Sequence, residues 1–116
     1  LDVSVLQRLI GDDAAVVRDF LQFFCDSTGQ QCAELRSAWT GGDVLQVAAI
    51  AHKLKSSARS VGALPLGEIC AGLERTAKTA ELAALGPGMA EFENECQRVR
   101  DAVHALLAPA PGPETG

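Results

Sequence analysis

Apolar residues recur at intervals of three and four along most of the chain, and small polar clusters cut that pattern into segments. Val3 to Ile10 is a short apolar-rich stretch that stops at Gly11, and it predicts a short helix. Asp12 or Asp13 can then accept hydrogen bonds from the free amides of a new helix. Val17, Phe20, Leu21, Phe24, Thr28, Cys32, Leu35 and Trp39 keep helical spacing, so this second helix should run to about Trp39. Ser27-Thr28-Gly29 interrupts its centre. A mid-helix glycine costs about 1 kcal/mol relative to alanine, so a bend is possible there. Gly41-Gly42-Asp43 reads as a stop followed by a start, with glycine closing one helix and aspartate capping the next.

The third helix is predicted from about Val44 to Val61, ending at Gly62. Pro65 suits the first turn of a fourth, whose apolar stripe is Leu66, Ile69, Cys70, Leu73 and Ala77. Gly86-Pro87-Gly88 should break the chain again before a last helix carrying Phe92, Cys96, Val99, Val103 and Leu106. Four substantial amphipathic helices with short connections predict an all-α fold: an antiparallel up-down-up-down four-helix bundle, with the short N-terminal helix capping one end. The bundle should occupy residues 1–108, followed by a disordered Pro/Gly-rich tail over 109–116 with nothing to bury.

Composition narrows the function classes. Hydrophobic residues make up 47% and aromatics only 4%, with no Tyr and one Trp, so alanine and leucine must fill the core, which favours close-packed helices over sheets. The net charge of −5 gives no basic face for nucleic acid. No apolar run approaches the roughly 20 residues that span a bilayer, so no direct membrane contact is expected. There is no signal-peptide pattern, and a cytoplasmic location is expected. The chain starts at Leu1 and its one Met is at position 89, which reads as a segment of a longer protein.

Cys25, Cys32, Cys70 and Cys96 form no CxxC pair. They are expected to be small core or boundary residues in a reducing compartment, with a disulfide or a metal the lesser alternatives. No cofactor and no metal site are expected. His52 and His104 lie on different helices with no third ligand suggested, and Gly86-Pro87-Gly88 lacks the lysine of a phosphate-binding loop. Glu91, Glu93 and Glu95 fan around a helix and read as a solvated face.

The third helix makes the most specific chemical suggestion. At about 100° per residue, Val44, Val47, Ala48, Ala51, Leu54, Ala58, Val61 and Gly62 cluster into the core stripe, and His52 falls about 120° from its centre. Its neighbours on the helix surface are Ala48 and Ala49 one turn before, and Lys55 and Ser56 one turn after, with Leu45 and Arg59 two turns away. Lys55 and Arg59 lie between the histidine and the stripe, where their stems can follow apolar surface and their heads reach outward. An unperturbed imidazole, with a pKa of about 6.5, is substantially neutral near neutral pH and can attack phosphorus directly. Lys55 and Arg59 can stabilise the resulting phosphoryl charge. The small side chains of Ala48, Ala49 and Ser56 leave room for a second protein, and Leu45 offers it an apolar contact.

These residues resemble the histidine-containing phosphotransfer (HPt) domain. Its pattern is His-x-Leu-Lys-Gly/Ser, then small residues, Gly-Ala, and Leu-Glu. The chain has His52-Lys53-Leu54-Lys55-Ser56-Ser57-Ala58, then Val61-Gly62-Ala63-Leu64, then Cys70-Ala71-Gly72-Leu73-Glu74. Phe20-Leu21-Gln22-Phe23-Phe24, Leu35 and Gly42-Asp43 are similar too, so the likeness covers roughly residues 1–107.

The resemblance implies a phosphoryl carrier, not an enzyme with its own ATP site. Such a domain accepts phosphoryl from an aspartyl phosphate on a receiver domain and passes it to another receiver's aspartate. His52 would carry the group on Nε2, Lys55 matches the lysine beside it, and Gly62 matches the glycine that ends this part of the motif. Arg59 stands where a small residue is commoner. The receiver, in cis or in trans, would supply the aspartate, a divalent metal and most of the catalysis. The likeness also implies a monomeric domain, suited to a hybrid sensor histidine kinase whose parent protein can be anchored in the inner membrane. Glu74 is the nearest acid by motif and reads as a solvated carboxylate.

Two rivals are weighed. A histidine-kinase dimerisation domain would have an acid directly after the histidine and a proline soon after, where this chain has Lys53 and Ser57. A helical protein-interaction module without phosphotransfer would share the bundle but would not need His52.

Overall fold

The computed structural model describes residues 1–79 and 82–108, and the tail expected over 109–116 lies outside them. The described residues form five α-helices and no strand. These are α1 (Val3–Ile10), α2 (Ala14–Thr40), α3 (Val44–Ser60), α4 (Leu64–Lys78) and α5 (Leu85–Leu107), with a 3-10 turn at Leu82–Ala84 leading into α5.

Short polar side chains set the starts of the first three helices. Asp2 accepts from the Ser4 amide at 3.0 Å, Asp13 from the Ala15 amide at 2.9 Å, and Asp43 from the Gln46 amide at 3.1 Å. Each satisfies an amide that has no partner inside its helix. Of the two aspartates open as the α2 cap, Asp13 is the one used. α4 has no side-chain cap, and Pro65 sits in its first turn as expected.

The helices pack around a ring, with α2 beside α3, α3 beside α4, α4 beside α5 and α5 beside α2. Neighbours run in opposite directions. His52 pairs with Glu74 and Arg59 with Glu68 across α3 and α4. Cys25 meets His104, and Arg36 meets Glu93, across α2 and α5. Leu35, Val47, Leu54, Leu66 and Phe92 are fully buried between them. α1 lies over one end of the ring and contributes Leu6, also fully buried.

Packing decides three local features. α2 runs unbroken through Ser27-Thr28-Gly29. A Cβ at Gly29 would lie 3.1 Å from the Arg100 guanidinium, so the glycine makes room for a neighbour instead of breaking its helix. α5 begins at Leu85, so Gly86-Pro87-Gly88 forms its first turn. The opening amides of a helix lack partners in any case, and Pro87 therefore costs nothing there. Cys32 and Cys96 do not remain free thiols: they form a disulfide between α2 and α5. Antiparallel register puts both on one rung of the seam, which spacing within either helix could not reveal. Cys25 and Cys70 are free and buried, as expected. Burial pushes the Cys70 thiol up to about 12, which keeps it protonated and unreactive.

Candidate functional site

The site is built on the α3–α4 seam. Small residues let the two helices approach: Ala51 and Ala58 on α3, and Gly67 and Ala71 on α4, are all buried. A Cβ at Gly67 would already crowd Arg59 Cγ at 3.1 Å. α3 ends where the chain must turn, at Gly62, whose φ is +72°. Only glycine adopts that conformation without steric cost.

His52 stands on α3 with its side chain 62% exposed. Its Nδ1 lies 3.0 Å from Glu74 Oε2. With the carboxylate ionised, the proton of the neutral ring belongs on Nδ1, and the lone pair belongs to Nε2. The opening reading of Glu74 as a solvated carboxylate is overturned: its side chain is only 10% exposed. Lys55 donates to Oε1 at 2.7 Å, and Lys78, one turn along α4, donates to Oε2 at 3.1 Å. These two hydrogen bonds, Lys55 first, with a smaller contribution from His52, hold the Glu74 carboxyl down to about 2 against the cost of its burial. Glu74 is therefore an anion that orients the ring, not a base that takes its proton.

The expected site residues separate into four groups. His52 and Lys55 are brought together through Glu74. Leu45, Ala49 and Ser56 are exposed on the face of α3 that carries His52. Ala48, expected on that docking face, is instead buried in the core. One turn from the histidine on the other side, it falls inside the apolar stripe, which packs against α2 and α4 at once. Arg59 is turned toward α4, where its guanidinium is 3.6 Å from Glu68.

Sequence reasoning did not assign Glu74 and Lys78 to the site. A signal for Glu74 exists: Cys70, Ala71 and Ala77, at the helical spacings around it, are all buried, so its stem must leave the core at the seam. The Glu74–Lys78 spacing of one helical turn is a second.

The other histidine is occupied elsewhere: His104 Nε2 lies 3.4 Å from Cys25 Sγ. Among the described residues no group of three or more His, Cys, Asp or Glu side chains could hold a metal ion. None of the described helices is long and apolar enough to cross a membrane. Of the acidic run on α5, Glu93 bonds Arg36 at 2.6 Å and Glu95 bonds Arg98 at 3.2 Å, both at the surface.

A family model described as "Hpt domain" matches residues 19–102. Two solved structures are similar over almost their full length. One is the crystal structure of histidine-containing phosphotransfer protein B (HptB) from Pseudomonas aeruginosa PAO1, 25% identical, with 92% of this chain and 93% of that chain covered and a TM-score of 0.84. The other is the HPT domain from the Hpt sensor hybrid histidine kinase from Shewanella, 18% identical, with 97% of each chain covered and a TM-score of 0.81; at that identity it speaks for the fold alone. No curated protein matches the chain.

Proposed function

The chain belongs to the Hpt domain family, and on that premise we propose that His52 is its phosphoryl carrier, taking the group from a receiver-domain aspartate onto Nε2 and giving it to another. The observation that carries this reading is the Glu74 contact. A 3.0 Å hydrogen bond to Nδ1 leaves Nε2 as the free nucleophilic atom of an exposed ring. A buried or doubly bonded histidine could not meet a second protein in this way.

In the accepting step the Nε2 lone pair forms the N–P bond. The P–O bond of the aspartyl phosphate breaks, and its electron pair leaves with the aspartate carboxylate. The passing step is the reverse, toward another aspartate. The domain supplies a nucleophile of fixed orientation, and geometry contributes more than base strength. Lys55, 20% exposed and beside the ring, is the cation best placed to meet the phosphoryl oxygens. Arg59 would have to release Glu68 to join it. Leu45, Ala49 and Ser56 would lie under the docked receiver.

The test is incubation with a phosphorylated receiver domain. The wild-type chain gains the label. His52→Ala gains none and keeps its far-UV helicity, because the ring is exposed and leaves no core cavity. Labelled His52→Ala would overturn the assignment. A chain that binds receivers but never takes the label would be an interaction module without phosphotransfer.

A further inference from the structure

Glu74 is the only carboxylate among the described residues that is buried, and three donors share its two oxygens. Lys55 has Oε1 to itself, while His52 and Lys78 share Oε2. A phosphoryl group on Nε2 would bring up to two negative charges within reach of Lys55 and compete with Oε1 for it. Glu74 would then keep only the donors on Oε2.

The ring proton matters at that moment. Once Nε2 is bonded to phosphorus, Nδ1 is the only ring nitrogen that can hold a proton. With the proton there, the group that leaves in the passing step is neutral imidazole. Without it, the leaving group is an imidazolate, which is far poorer.

Resting on the assignment of His52 as carrier, we propose that Lys78 is a positioning residue. It keeps the Glu74 carboxylate seated on His52 Nδ1 while Lys55 moves to the phosphoryl oxygens, so that phosphoryl groups pass on and off Nε2 with the proton staying on Nδ1. The balance closes without any proton transfer. The N–P bond forms as the donor's P–O bond breaks, and the ring gains a positive charge that faces Glu74. On the return the N–P electron pair goes back to Nε2 as a new P–O bond forms. Lys78 touches neither the phosphoryl group nor the ring.

The groups around Glu74 are accounted for on each element. α3 presents His52 and Lys55, and α4 presents Lys78 and the buried Cys70 thiol, which stays protonated. Lys53 and Arg75 are exposed on the same two helices and make no ion pair with Glu74. Among the described residues no charged group of α2 or α5 lies within ion-pair distance of it.

The test compares wild type, Lys78→Met and Lys78→Arg, each with 15N-labelled histidine and each phosphorylated with phosphoramidate, which needs no receiver. Transfer to an isolated receiver domain is timed from about pH 6 to about pH 9, a span that covers ordinary imidazole titration. The Nδ1 shift of the phosphorylated ring is followed over the same range. Wild type and Lys78→Arg should transfer at similar rates and show the same hydrogen-bonded Nδ1 shift. Lys78→Met should slow by about two- to fivefold, the span that a part-exposed ion pair commands, and its Nδ1 shift should move off the hydrogen-bonded value of wild type. A Lys78→Met profile that superimposes on wild type overturns the proposal. So does a Lys78→Arg profile displaced as far as Lys78→Met. Absence of label on wild-type His52 would remove the carrier assignment itself, an outcome distinct from a labelled chain indifferent to Lys78.

Discussion

Gly62→Ala should destabilise the domain more than its backbone conformation alone explains. Gly62 has φ +72°, and an alanine held there costs about 1–2 kcal/mol. The added Cβ would also lie 2.5 Å from Asp2 O, 2.6 Å from Asp2 Cβ and 2.8 Å from Asp2 N. Two of those three are backbone atoms, so Asp2 cannot simply swing a side chain aside. It must move, and it is anchored twice. Its amide donates to Val61 O at 3.1 Å, and its carboxylate caps α1 at the Ser4 amide at 3.0 Å. Losing one such hydrogen bond costs about 0.5–1.5 kcal/mol. Together the two effects come to about 1.5–3.5 kcal/mol, or roughly 6–14 °C in Tm for a domain of this size.

Gly11 supplies the control. Its φ is +91° and its ψ 178°, an essentially glycine-only region, but a Cβ there would meet nothing within 4 Å, so Gly11→Ala should show a conformational cost alone, about 1–3 kcal/mol, and no coupling to Asp2. Thermal unfolding followed by far-UV circular dichroism reads both. Deleting Leu1 and Asp2 in the Gly62→Ala background should make the two changes less than additive, because both act on one contact. A Gly62→Ala midpoint lowered by no more than about 4 °C, or a loss fully additive with the deletion, would refute the reasoning.

Three further outcomes follow from the site and the seam. Glu74 has its carboxyl held at about 2 against an ordinary value of 4.5, so the stability it contributes is complete above about 4.5 and is lost as pH falls through about 2. The Tm difference between wild type and Glu74→Gln should therefore shrink across that acid window, and a difference constant with pH would contradict the ion pairing. Lys55→Ala should slow phosphoryl transfer without abolishing it, since His52 and Lys78 both remain on Glu74; unchanged kinetics would remove Lys55 from the site. Reducing the Cys32–Cys96 disulfide should cost up to about 4 kcal/mol of stability on loop closure for a separation of 64 residues, and lower Tm accordingly. A midpoint insensitive to dithiothreitol would show that the seam holds without the covalent link.

How much of this could be read from the chain depends on whether the information is local to one helix. The α2 and α3 starts were legible because Asp13 and Asp43 act within three residues of themselves; the Asp2 cap of α1 was not read. His52 was legible as an exposed ring because its angle from the stripe is a property of α3 alone. Glu74 was misread because a carboxylate's burial depends on what faces it, and Lys55 comes from another helix. The Cys32–Cys96 rung and the fit of Arg100 over Gly29 likewise exist only in the α2–α5 register. Ala48 was counted both in the core stripe and on the docking face, because it lies one turn from His52 and at the stripe's edge; its burial keeps it in the stripe.

The central claim is that Glu74 holds Nδ1 and leaves Nε2 of His52 to carry the phosphoryl group. It is tested most directly by phosphorylating the chain with 15N-labelled histidine and reading which nitrogen couples to phosphorus. The account predicts one phosphoryl group per chain, bonded to Nε2 of His52, acid-labile and base-stable, with the proton on Nδ1. A phosphoryl group on Nδ1, on His104 or on a carboxylate would contradict it.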